Sequence, residues 1–125
     1  MSRRTGPAAA TVVGVRQRDS YRCVRCGKSP ADAVLSTQHR QARGMGGTRR
    51  ASVNAPSNLI TLCGTGTTGC HGWVEAHPVE ARANGWAVAS WDNPATTPVL
   101  TPRGWVLLDD DFCFEPLPDH RAVTP

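Results

Sequence analysis

Residues 8–20 place Val12, Val13 and Val15 on one side and Arg16 and Arg18 on the other, which predicts a helix after a loose start over residues 1–7. Gly14 and the valines are poor helix formers, so this helix depends on what it packs against. YRCVRCGK at 21–28 is too short and polar for either period and reads as a tight turn closed by Gly27, carrying two thiols. AVLSTQHR at 33–40 predicts a strand, and residues 42–58 a long loop with three glycines. LITL at 59–62 is a second strand running into Cys63, and GTGTTG at 64–69 a loop. Residues 70–76 suit a helix that Pro78 breaks or restarts, and residues 78–85 a second short helix stopped by Gly85. WAVASW, PVLT and GWVLL are three further strand candidates between Pro- and Gly-bearing turns, followed by an Asp109, Asp110, Asp111 turn, FCFEPL and a loose tail.

Strands, helices and a length of 125 residues predict one small α+β domain. With 39% hydrophobic residues its core is modest, and a metal staple would help the Gly- and Pro-rich first half. No apolar run is long enough to cross a membrane. The N-terminal segment is interrupted by Gly6 and Pro7 and does not read as a secretory signal. Five cysteines, an odd number with two of them in CxxC, favour metal and a reducing, cytoplasmic compartment over a disulfide framework.

Charge is uneven along the chain. Residues 1–50 hold ten arginines and one lysine against two aspartates, a net charge of +9; residues 51–125 hold three arginines against eight acids, a net charge of −5. Arginine's planar fork suits phosphate oxygens, so the basic half points to nucleic acid. The three consecutive aspartates lie between two apolar runs and read as a turn in preference to a cation site.

Cys23 and Cys26, then Cys63 and Cys70, form two pairs about forty residues apart, a donor set that suits one tetrahedral zinc. The second spacing is long, but its Gly- and Thr-rich insert can loop out. Cys113 is left over, between Phe112 and Phe114, as a small residue on a strand face. The order CxxC, His39-Arg40, a Gly-Gly loop, Asn58-Leu-Ile-Thr-Leu-Cys63 and then Cys70-His71 resembles the HNH endonucleases of the His-Me finger class. The resemblance covers residues 21 to 78 and is strongest to small bacteriophage HNH proteins with a four-cysteine zinc site. It implies a zinc-stapled ββα-metal fold: a basic tail and helix over 1–20, a nuclease core over 21–84 and a β-rich extension over 85–125. It implies a DNA endonuclease with a structural Zn²⁺ and a catalytic Mg²⁺ or Mn²⁺, with Zn²⁺ or Ni²⁺ as substitutes. A phage terminase large subunit is the implied partner, and a host-cell cytoplasm the implied location.

In that pattern His39 is the general base, Asn58 holds the base or the cation, and His71 is a cation ligand. Phosphodiester hydrolysis needs an activated water and a cation that neutralises phosphate charge. On a helix Glu75 lies one turn beyond His71 on the same side and is a hard oxygen ligand, whereas His77 sits about 120° away before a proline. Gln38 departs from the family, which usually places Asp or His there; its amide can coordinate but brings no charge. Strand alternation sets Gln38 and His39 on opposite faces. Arg40, Arg43, Arg49 and Arg50 are the expected nucleic-acid contacts, and the four tryptophans are expected to pack inside. Two other readings remain open: a non-catalytic zinc module that binds nucleic acid through its arginines, and a scaffold presenting the acidic half to a protein.

Overall fold

The computed structural model of the chain describes residues 6–42 and 51–117. LITLC is the most continuously apolar run of the first half, and as β2 (Leu59–Cys63) all five of its residues are buried. It pairs antiparallel with β1 (Leu35–His39), with Leu35 opposite Cys63 and His39 opposite Leu59. Ser36 and Thr37 are neighbours on β1 and so point to opposite faces. Thr37 accepts from Arg16 of helix α1 (Ala9–Arg18), and Ser36 meets His71 of helix α2 (Gly69–Ala76). The two helices therefore cover opposite faces of one hairpin.

The outer edge of β2 is closed without a third strand. Thr61 donates its N–H to the Asp19 carboxylate at 3.0 Å, and its carbonyl accepts from Val24 at 2.8 Å. Arg18 is nearly buried, paired with Asp19 at 2.9 Å and bonded to the carbonyls of Pro56 and Leu59. These bonds anchor α1, whose own sequence is a weak helix former with no capping side chain.

After α2 comes α3 (Pro78–Ala83), entered through a proline as its first residue. Gly85 then turns the chain with φ +77°, where a Cβ would also overlap the Pro98 carbonyl. Residues 86–91, expected as a strand, form none. Trp86 and Ala87 donate to the Ala81 carbonyl and Val88 donates to the Arg40 carbonyl, so no ladder partner remains. A three-stranded antiparallel meander follows: β3 (Val99–Thr101), β4 (Gly104–Leu108) and β5 (Phe114–Pro116). Its Val99, Val106 and Leu108 join Ile60, Leu62, Val74, Ala81 and Trp86 in one core with the buried cysteines. None of the described helices is long and apolar enough to cross a membrane.

The aspartate turn is self-satisfied. Asp109 accepts from the N–H groups of Asp111 and Cys113, and Asp110 from that of Ser57. Cys113 lies in this turn and is exposed, outside the strand expected to hold it. Trp91 also departs from expectation. Trp73 and Trp86 pack edge to face at 6.2 Å, whereas Trp91 stands 84% exposed.

Candidate metal centre and candidate catalytic cleft

Four thiols converge at one end of the hairpin. Cys23 and Cys26 ride the turn before β1, where Gly27 takes φ +83° and donates to the Cys23 carbonyl. Cys63 ends β2 and Cys70 lies in the first turn of α2. The seven-residue spacing between them closes because Gly64 and Gly69 both adopt positive φ, at +87° and +61°. Thr65 and Thr68 bond each other through backbone and hydroxyls between those glycines, which draws the loop into a ring. All four sulfurs lie within 4.8 Å of one another, and this is the one group of three or more His, Cys, Asp or Glu side chains placed to hold a metal among the described residues.

Backbone N–H groups of Cys26 and Cys70 point at the sulfurs of Cys23 and Cys63, each at 3.4 Å. The Arg25 guanidinium donates to Cys70 Sγ at 3.3 Å and lies 3.8 Å over the Trp73 ring. Burial pushes the Cys70 thiol up to about 12 and also raises Cys26. Thiolates this close need a cation in their midst to persist together.

A separate cleft of about 610 Å³ opens beside the C-terminal end of β1, lined by Gln38, His39, His71, Glu75 and Arg82 among others. Gln38 and His39 project from opposite faces of the strand, as alternation requires, yet both reach this cleft because it lies at the strand's end. His71 and Glu75 are one turn apart on α2, with Nε2 and Oε2 separated by 4.0 Å. Gln38 makes no side-chain hydrogen bond among the described residues, and only 5% of its surface is exposed.

Each imidazole has one ring nitrogen held by a neighbour. Ser36 Oγ lies 2.7 Å from His71 Nδ1 and 3.3 Å from the Leu62 carbonyl. When the hydroxyl donates to the carbonyl, Nδ1 donates to Ser36 and Nε2 keeps its lone pair on the side of Glu75. His39 Nε2 lies 2.8 Å from Asn54 Oδ1, an acceptor, so it carries the proton and His39 Nδ1 keeps the lone pair. Burial lowers the pKa of His71, opposed by Glu75 and reinforced by His39, so its ring is neutral at neutral pH.

Asn58 does not face the cleft. Buried to 1% exposure, it accepts from the Gln41 N–H at 2.7 Å and donates to the carbonyls of Gln41 and Val53. It clips the end of β1 to the loop that enters β2, and Val53 is the neighbour of Asn54. Its part is thus to fix the backbone beside His39 and Asn54. Ser36 and Asn54, which orient the histidines, were not identified from the sequence. Ser36 is legible in hindsight as the residue two before Gln38 on the same strand face; Asn54 carries no local signal. His77 ends α2, its Nδ1 bonded to the Trp73 carbonyl and its ring stacked on Trp73 at 4.2 Å, and takes no part in the cleft lining.

Arg40 must be removed from the expected nucleic-acid contacts. It is 2% exposed, and its guanidinium donates to the carbonyls of Gly85, Ser57, Pro94 and Thr97 at 2.8, 2.8, 2.9 and 2.6 Å. Burial, helped by the Arg18 charge, pulls its pKa down to about 9, which leaves it the cation those oxygens bind at neutral pH. Four of its five N–H donors are used, and the bidentate fork that would hold a phosphate is not free. Arg16, Arg18, Arg22 and Arg25 are likewise bonded within the chain. Arg43, Arg49 and Arg50 lie outside the described residues. No protein-family model, curated protein or solved structure matches the chain.

Proposed function

We propose that this chain is a metal-dependent DNA endonuclease of the HNH type, built on a ββα-metal unit stapled by zinc. The observation that carries the reading is the cleft. His39 and His71 come from a strand and a helix and face one space, and each has one ring nitrogen tied by a neighbour, Asn54 for His39 and Ser36 for His71. A general base needs a free lone pair on a fixed ring, and a ligand needs a neutral ring with its other nitrogen tied back. His39 Nδ1 meets the first requirement and His71 Nε2 the second.

His39 takes the proton of a water attacking the phosphodiester. His71 Nε2, Glu75 and the Gln38 amide oxygen would hold a divalent cation, which would supply Lewis-acid stabilisation of charge on the phosphate and leaving oxygen. With one carboxylate among these ligands, the protein's own hold on that cation would be weak and the substrate phosphate would complete the site. For the cysteine quartet the proposed ion is zinc. Zn–S bonds of about 2.3 Å in a tetrahedron set sulfurs about 3.8 Å apart, and Cys26 and Cys63 stand at 3.7 Å. The resemblance to bacteriophage HNH proteins extends the proposal to work beside a terminase large subunit.

The test is supercoiled plasmid incubated with zinc-loaded protein and Mn²⁺ or Mg²⁺, with omission of the added cation and His39→Ala as controls. Relaxation or linearisation that needs both the cation and His39 supports the reading. Equal activity from His39→Ala, or none from the wild type with any divalent cation, overturns it.

A further inference from the structure

Of the seven described arginines, six are engaged. Arg16, Arg18, Arg22, Arg25, Arg40 and Arg103 each donate to oxygen or sulfur within the chain. Arg82, on α3, is the exception: it is exposed, lines the cleft, and its guanidinium makes no hydrogen bond or ion pair among the described residues. Glu75 is the carboxylate of the same cleft lining; it lies 4.0 Å from His71 Nε2 and makes no ion pair with Arg82. The Arg82 guanidinium therefore holds no anion among the described residues. Its five donors in a rigid fork match two non-bridging phosphate oxygens.

We infer that Arg82 is the phosphate-binding residue of this cleft, holding the scissile phosphodiester of a nucleic-acid strand against His39 and His71. The inference rests on the nuclease reading for the identity of the strand. It extends that reading because Arg82 belongs to the second, acidic half of the chain, outside the basic stretch that sequence alone marks for nucleic acid. It also accounts for the neutral Gln38. A cleft that takes its phosphate first, through Arg82, gains from that phosphate the anionic oxygen that Gln38 does not supply.

The first arm of the test leaves the cysteine site zinc-loaded and adds no Mg²⁺ or Mn²⁺, so that binding is read apart from chemistry. A labelled duplex oligonucleotide is titrated at several salt concentrations with wild type, Arg82→Ala, Arg82→Lys and Arg103→Ala. Losing one phosphate contact lowers the slope of log affinity against log salt by about 0.9. Arg82→Ala is expected to show that drop, Arg82→Lys to keep the slope, and Arg103→Ala, whose guanidinium is tied to Arg18 and Ser20, to match the wild type. The second arm measures Mn²⁺-dependent cleavage, where Arg82→Ala is expected to lose about 10²-fold and to recover in part with added guanidinium, at concentrations that leave the fold intact.

An unchanged salt slope in Arg82→Ala overturns the inference, while wild-type cleavage abolished by His39→Ala would still uphold the nuclease reading. A slope that falls in a protein that never cleaves keeps Arg82 as a phosphate anchor and removes the nuclease instead. Cleavage lost in Arg82→Ala with the slope unchanged and no rescue by guanidinium assigns Arg82 a structural part, and also overturns the inference.

Discussion

Arg40→Ala separates a structural arginine from a phosphate-binding one. The wild-type side chain is 2% exposed and gives four charged hydrogen bonds to carbonyls drawn from three segments: Ser57 before β2, Gly85 after α3, and Pro94 with Thr97 before β3. Truncation strands the buried bonds to Gly85 and Ser57, at about 1–3 kcal/mol each. Pro94 and Thr97 are only partly buried and regain water. The deleted stem adds a cavity that water can enter, which limits the further loss. A net destabilisation of about 3–5 kcal/mol follows, in the range for removing one partner from a buried charged network. At this chain length that lowers Tm by roughly 10–20 °C. The assay is thermal unfolding by circular dichroism of the metal-loaded protein, with oligonucleotide affinity measured well below the lowered Tm. Arg40→Ala is expected to lose stability and to keep the wild-type salt slope. An unchanged Tm together with a shallower slope would refute the structural assignment and return Arg40 to the nucleic-acid surface.

Other substitutions probe the remaining elements. Purified protein should carry about one zinc per chain; Cys70→Ser or strong chelation should unfold it by circular dichroism, and Cys113→Ser should match the wild type. Gly85→Ala should cost about 2 kcal/mol or more in chemical denaturation, because it forces a Cβ onto a φ of +77° and into the Pro98 carbonyl; a loss below half that would count against the close approach. Ser36→Ala removes the hydroxyl that ties His71 Nδ1 and should raise the Mn²⁺ concentration needed for half-maximal cleavage about 10-fold with Tm little changed. His39→Ala should lower cleavage by about 10²–10⁴ without loss of zinc or oligonucleotide affinity, read by metal analysis and anisotropy.

Much of the fold was legible because it is written in short-range patterns. Two strands, the two short helices after them and the turn of Cys23 and Cys26 follow from periodicity, proline and glycine, whose effects act within a few residues. The grouping of four cysteines followed from donor type and spacing, and the pairing of His71 with Glu75 from the pitch of a helix. The WAVASW segment misled because a run rich in strand formers still needs an unoccupied edge, and here its N–H groups were taken by Ala81 and Arg40. Arg40 and Arg82 show the same limit in charge. By composition Arg40 belonged to a basic, nucleic-acid-like stretch and Arg82 to an acidic half. Tertiary structure reversed them by surrounding Arg40 with carbonyls up to 57 residues away and leaving Arg82 in the wall of a cleft. Ser36 and Asn54 came into view only with the hydrogen bonds they make, 35 and 15 residues from their histidines. Sequence alone determined which residues could bend, pair or ligate. What each polar group did was decided by the fold, because a buried donor or acceptor must find its partner wherever the chain brings one within reach.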